Sequence, residues 1–335
     1  MRTTICAICN TNQYDALLYE ANFTHEHLTT ATFSARRLPD RIRYRMVRCT
    51  RCGLVRANPI LETSELARLY EGSRITYEAD KPGLIATYRH YLARALHFGN
   101  AKGSPRTTGS PGCKSEEECA MPTRSIQALR PPAVKAMVWG SLLEIGCGDG
   151  FFLAEARRIG LNEVKGVEPS THAIAAADPE LQPHIIQGLY HCDCFPPSTF
   201  DYACLFQVID HMDDPARCLD TVHEHLKPGG IALMISHNWD AFTNRALGAS
   251  SPIIDIEHPF LFSIKTITEL LSLHHFRVLE TGAAWNTHTI RHWIELIPLP
   301  LPLKKKVLKF LTILKLSEIK LTIPAGNFYL IAQKI

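Results

Sequence analysis

Leu142-Leu143-Glu144-Ile145-Gly146-Cys147-Gly148-Asp149-Gly150, running on into Phe151-Phe152-Leu153, sets three glycines at alternate positions between an apolar run and the start of a helix. Glycine there permits a tight turn and lets a ligand approach the backbone closely. The context predicts a strand, a turn and a helix in that order. Glu168 ends the next apolar run, 22 residues after Gly146.

Downstream of the loop the pattern keeps alternating. Strands are predicted at 141–145, 163–167, 184–187, 202–206, 231–236, 277–281 and 327–333. Between them, Ala216, Leu219, Val222 and Leu226 share one face of a helix over 215–227. Asp214-Pro215 supplies its cap and first-turn proline, and Lys227-Pro228-Gly229-Gly230 stops it. Strand–helix alternation with short apolar strands predicts an α/β fold: a doubly wound, mainly parallel, seven-stranded Rossmann-like sheet. Such sheets bind ligands at the carboxyl ends of their strands. This domain is expected to span 135–335. Upstream lie a cysteine-bearing, Arg-rich module at 1–60 and a helical connector at 61–100. A Gly-, Ser- and Pro-rich stretch at 101–134 reads as a flexible linker.

The glycine spacing separates cofactor classes. The dinucleotide fingerprint needs its third glycine one residue later, and position 151 is Phe. The acid-x-Gly-x-Gly-x-Gly run instead resembles the first motif of class I S-adenosylmethionine-dependent methyltransferases. Phe200-Asp201-Tyr202 at the opening of the fourth strand, Gln207-Val208-Ile209-Asp210-His211 at its end and Leu226-Lys227-Pro228-Gly229-Gly230 before the fifth follow the order of that family. The resemblance implies S-adenosylmethionine as cofactor. Gly146 and Gly148 would line its methionine part, Glu144 would support its amino group and Glu168 would hold its ribose. Leu189 would lie beside the adenine through its backbone. Gln207 and His211 would face the methyl group.

Cys6-x2-Cys9 and Cys49-x2-Cys52 form two knuckles in the N-terminal module. Four thiolates suit tetrahedral Zn²⁺ in a structural role; a redox pair is the alternative chemistry. Such a site carries a formal charge of −2, which Arg43, Arg45, Arg48 and Arg51 can offset. The same arginines would also suit a phosphate or nucleic acid. The other seven of the eleven cysteines, Cys113 and Cys119 of the linker among them, need no special role.

Methyl transfer requires a positioned acceptor and usually a base for its proton. Glu257-His258 sits between the fifth strand and a helix at 264–274, where strand ends face a ligand. A carboxylate beside an imidazole can raise its basicity. Two zinc knuckles, a class I methyltransferase domain and this Glu-His pair together resemble the C-methyltransferases of nucleotide-linked deoxy-keto sugars. In that family the pair helps to form an enolate, and Asp255 stands here where the family has tyrosine. The resemblance makes His258 and Glu257 the first candidates for proton handling, with His211 second.

The formal net charge of +3 conceals a division. Residues 1–56 carry +5, all of the cations being arginine; 57–300 carry −8; and 301–335 carry +6 through seven lysines. The acidic body argues against nucleic acid as partner. The lysine-studded apolar stretch 301–320 suits a lid helix over the acceptor, or contact with an anionic membrane. No run of 18 apolar residues occurs and the N-terminus lacks a signal-peptide core, so a cytoplasmic protein is expected. Together these features predict a methyltransferase acting on a small molecule, plausibly a sugar or nucleotide-linked intermediate. A nucleic-acid-modifying enzyme, a lipid methyltransferase and a non-catalytic cofactor binder are the rivals. Oligomeric state is not readable from the sequence.

Overall fold

The computed structural model describes residues 1–34, 40–100, 140–297 and 299–335. The predicted linker, with Cys113 and Cys119, lies outside them. The N-terminal part holds β1 (Asp15–Tyr19), β2 (Met46–Cys49) and β3 (Val55–Ala57), then α1 (Thr63–Glu71) and α2 (Lys81–Asn100). The alternating part runs β4 (Ser141–Ile145), α3 (Phe151–Arg158), β5 (Glu163–Glu168), α4 (Thr171–Ala175), β6 (Ile185–Gln187), β7 (Phe200–Phe206), α5 (Pro215–His225) and β8 (Leu226–His237). Then follow α6 (Phe242–Leu247), β9 (Phe260–Leu261), α7 (Ile264–Leu273), β10 (Phe276–Thr289), α8 (Ile290–Leu296), α9 (Leu301–Ile313) and β11 (Lys320–Lys334).

Seven strands form one sheet in the order β10-β11-β8-β7-β4-β5-β6. The five strands from β8 to β6 pair in parallel, and β11 runs antiparallel between β8 and β10. Both faces are covered, so side chains alternate between two cores. Leu143, Ile145, Ala203 and Leu205 face α5 and α7, packing with Leu219, Val222, Ile267 and Leu270. Leu142, Tyr202, Cys204 and Phe206 face α3 and α2, packing with Phe152, Leu153, Tyr88 and Leu92. The helix read as a connector therefore forms part of the layer that covers the sheet. Tyr88 stacks on Phe206 at 4.0 Å and meets Phe152 edge-on.

Several element boundaries differ from expectation. Helix α5 stops at His225 because Leu226 already pairs with Phe200 across the sheet. Strands β10 and β11 run to 14 and 15 residues, well beyond the predicted 277–281 and 327–333. They continue past the sheet as an antiparallel ribbon, each satisfying the other's backbone groups.

The N-terminal sheet takes its fourth strand from far along the chain. Its order is β1-β2-β3-β9, with Val55 opposite Leu261 and Arg56 opposite Phe260. Arg56, fully buried, grips Asp15 with two bonds of 2.8 Å and reaches Thr4 through Nε and Nη2. Removing one partner of a buried pair strands the other charge, at about 3–5 kcal/mol. Arg56→Ala is thus expected to lower chain stability by about that amount. A denaturant midpoint within error of wild type would show the pair to be dispensable.

Candidate functional site

The glycine loop leaves β4 and enters α3 with Gly146, Gly148 and Gly150 at φ of +68°, +57° and +72°. All three lie in the left-handed region, which explains the alternate glycines. A Cβ on Gly146 would come within 2.6 Å of Val208, and one on Gly148 within 2.3 Å of the Tyr77 hydroxyl. The Gly148 N–H donates to Glu168 Oε2 at 2.8 Å, and the Ser170 N–H to Glu168 Oε1 at 2.9 Å. These two bonds aim the Glu168 carboxylate into the loop. Burial raises its pKa, and the two N–H groups oppose that rise.

A cavity of about 690 Å³ opens beside this loop, over the carboxyl ends of β4, β5 and β7. Glu144, Gly146, Gly148, Glu168, Leu189 and Gln207 all line it, as do His211, Glu257 and His258. All nine non-cysteine residues singled out in the sequence thus surround one space. Its chemistry fits an S-adenosylmethionine-type ligand. Glu144 is 3% exposed and its Oε2 is buried without a partner. Burial, then Glu168 and Asp149, push its pKa well above the ordinary carboxyl value. A cationic amino group at that oxygen would supply the missing partner. Gln207 holds φ of +57°, unusual for a residue with a side chain, and its Oε1 is also buried without a partner. Lys81 bonds Asp149 of the glycine loop and, at 2.6 Å, Glu78.

At the other end of the cavity three imidazoles gather around one carboxylate. The His258 ring lies 4.6 Å from that of His211 and 4.6 Å from that of His237. His237 Nδ1 donates to Asp210 Oδ2 at 2.5 Å. Asp210 is fully buried. Burial would raise its pKa, but His237, His211 and His258 together hold it far below the usual range. His258 Nδ1 donates to the Ile253 carbonyl at 3.0 Å, which leaves the lone pair of the neutral ring on Nε2. Burial first, then His211 and His237, push His258 well below its usual value, with Asp210 opposing. The Tyr70 hydroxyl, also in the cavity wall, is 3.4 Å from His211 Nδ1. Burial, followed by Glu257, raises the Tyr70 pKa well above that of a free phenol.

Asp210 and His237 were not singled out in the sequence. Asp210 was visible as the neighbour of His211 at a strand end, but His237 ends a different strand and only the sheet brings the two together. Asp210, which belongs to a different loop, also acts on His258, against the depression of its pKa. The Glu257–His258 pair is held in place from outside the large sheet: Ala57 N–H donates to the Pro259 carbonyl at 2.7 Å, and Arg41 N–H to Asp255 at 3.0 Å.

The helix expected as a lid is α9, which follows α8 in the chain. Among the described residues, His288 of β10 and His292, Trp293 and Leu296 of α8 line the cavity, and none from α9 does. The long ribbon carries α8 inward, whereas α9 buries no side chain. Leu301, Phe310 and Ile313 of α9 are 60% exposed or more.

Cys6, Cys9, Cys49 and Cys52 bring their sulfurs within 4.8 Å of one another. Cys6 and Cys52 are 3.4 Å apart, Cys9 and Cys49 3.8 Å. A tetrahedral ion with Zn–S bonds of about 2.3 Å spaces its ligands by about 3.8 Å, so the set fits. Of the nearby arginines, Arg43 lies over the Tyr19 ring and Arg51 over that of Tyr14.

Sheet order, glycine loop and acid-lined cavity define a nucleotide-cofactor enzyme of the α/β class. Residues 86–281, more than half of the chain, match the family described as methyltransferase domain, and the chain belongs to that family. It is similar to the ubiquinone biosynthesis O-methyltransferase of Bradyrhizobium sp. (strain ORS 278), 32% identical over 114 residues, covering 32% of this chain and 45% of that one. It is also similar to the trans-aconitate 2-methyltransferase of Deinococcus radiodurans, 29% identical over 144 residues, covering 41% of this chain and 52% of the relative. The chain thus spans about half the length of the curated relatives it matches. Among solved structures, a possible histamine N-methyltransferase from Thermotoga maritima aligns with a TM-score of 0.40 at 18% identity, covering 77% of this chain and 95% of that one. Among the described residues no helix is long and apolar enough to cross a membrane.

Proposed function

We propose that the chain transfers a methyl group from S-adenosylmethionine to a small molecule with an acidic C–H or O–H. The observation that carries this reading is the single cavity joining the glycine loop to the Asp210–His237–His258–His211 cluster. The cofactor, when bound, supplies an activated methyl on a sulfonium. Glu144 takes its amino group and Glu168 its ribose hydroxyls, while Gly146 and Gly148 let the backbone close in. His258 accepts the acceptor's proton at Nε2. Buried Asp210, already negative, stabilises the imidazolium so formed, and His237 holds that carboxylate in place. Glu257 and His211 line the same wall and orient the acceptor. The likeness to nucleotide-sugar C-methyltransferases favours a keto sugar; the relatives named for ubiquinone biosynthesis and trans-aconitate favour an oxygen acceptor. Calorimetry with S-adenosylmethionine tests the shared premise, and no heat of binding from pure protein would refute it.

We also propose that the four cysteines hold a structural Zn²⁺. Their knuckles tie the N-terminus to β2, and β3 in turn pairs with β9 beside His258. Stripping the ion with a strong chelator is expected to lower Tm and turnover together, since structural zinc contributes folding energy outright. A melting curve and activity unaffected by chelation would dismiss the ion. A lipid acceptor is a second reading, favoured by the exposed apolar side chains and lysines of α9. Co-sedimentation with anionic vesicles, with and without residues 301–320, separates it.

A further inference from the structure

His288 and His292 line the cavity, and Asp80 lies against both. Asp80 closes a 3-10 turn (Glu78–Asp80), His288 lies near the end of β10 and His292 in the first turn of α8. The donor atoms of the three lie within 4.8 Å of one another. Both imidazoles point Nδ1 at the same atom, Asp80 Oδ1, each at 3.3 Å. The two rings stack at 4.2 Å with 23° between their planes, and Trp293 meets His288 edge-on at 5.1 Å. The side chains of His288, His292 and Asp80 are 9%, 8% and 17% exposed.

The distances separate two chemistries. A charge-assisted N–H···O bond closes to about 2.7–2.9 Å. His237 does close on Asp210, at 2.5 Å, so that cluster is a hydrogen-bonded one. At Asp80 neither imidazole closes to that distance, the His288 Nδ1–Asp80 Oδ1 hydrogen bond being a long one. Instead both sit at 3.3 Å, the spacing between ligands of a tetrahedral ion with bonds of about 2.0–2.1 Å, an edge of roughly 3.3–3.4 Å. The surroundings fix the donors. Thr289 Oγ1 accepts the His292 backbone N–H, and Trp293 Nε1 donates to the Leu321 carbonyl at 3.1 Å.

We propose that Asp80, His288 and His292 form a binding site for a divalent transition-metal ion, separate from the four cysteines. Two imidazoles and a carboxylate suit Zn²⁺, Co²⁺, Ni²⁺ or Fe²⁺ better than Mg²⁺ or Ca²⁺. Three protein ligands leave a position for water or an anionic oxygen of a molecule in the cavity. The ion also clamps the turn before α2 to the β10–β11 ribbon and α8. The site does not depend on methyl transfer, so a failed methyltransferase assay leaves it standing.

The test titrates Co²⁺ into the full chain after loading with one equivalent of Zn²⁺, which the thiolates take preferentially. Weak d–d absorption without a thiolate charge-transfer band is expected, together with quenching of tryptophan fluorescence, since Trp293 abuts His288. His288→Ala/His292→Ala is expected to weaken this Co²⁺ binding by at least about 100-fold. Asp80→Asn, which keeps shape and neutralises the ligand, is expected to weaken it too. Its unaltered far-UV dichroism would show that the fold persists. No absorption in the wild-type chain, a spectrum of thiolate type alone, or equal binding by both variants would overturn the proposal.

Discussion

His258→Ala is expected to lower kcat by about 10²–10⁴-fold while leaving the affinity for S-adenosylmethionine unchanged. The ring lies at the acceptor end of the cavity, away from the glycine loop, so its loss removes proton transfer without touching the cofactor's partners. Its neutral state also has a pH signature. Burial and the neighbouring imidazoles depress the His258 pKa, so the ring stays unprotonated as pH falls through 6.5. The acid limb of kcat/KM is therefore expected below pH 6.5. The same depression removes stability on acidification, because the unfolded chain takes up the proton first, from about pH 6.5 downwards. His237→Ala should slow turnover as well, since it unclamps Asp210. If turnover survives in His258→Ala but vanishes in His237→Ala, the base is His237.

Gly146→Val is expected to weaken S-adenosylmethionine binding by about 100-fold or more. A β-branched residue at φ +68° carries left-handed strain of about 1–2 kcal/mol, and forcing its Cβ against Val208 adds about 1–3. The free loop sheds this strain by moving and binding must restore it, so about 3 kcal/mol, about a hundredfold, is lost in affinity. Relief by distorting the loop would pull Gly148 N–H off Glu168 and blunt the ribose site too. Calorimetry on a variant with native dichroism reads this directly. Wild-type affinity would mean that the loop does not hold the cofactor.

The glycine loop was legible because its demand is local: three residues of positive φ in five positions admit little but glycine. Glu144, next to last in β4, and Glu168, the last residue of β5, stand at fixed offsets from the loop. The paired knuckles likewise announce a four-sulfur cluster through spacing alone. Strand identity held because burial on both faces leaves apolar runs that few other elements produce.

What remained hidden was set by contacts far apart in the chain. His237 ends β8 and Asp210 lies in the turn after the neighbouring β7, yet 27 residues separate them. Strand β9 has only two residues, too short for any periodicity, and exists because β3 presents an unpaired edge to it. That pairing makes the N-terminal module part of the wall beside His258 rather than an appendage. For a related reason, amphipathic spacing in the lysine-rich tail identifies a helix with an apolar face but not what covers it. The sequence by itself determined the sheet, the glycine turn, the four-cysteine cluster and the acids beside the glycine loop, because each is dictated by backbone conformation or short-range spacing. Only the tertiary structure decided which carboxylate serves which imidazole and which helix walls the cavity. It alone brought Asp80 to His288 and His292, because those choices depend on sheet order and ribbon length, which no local pattern encodes.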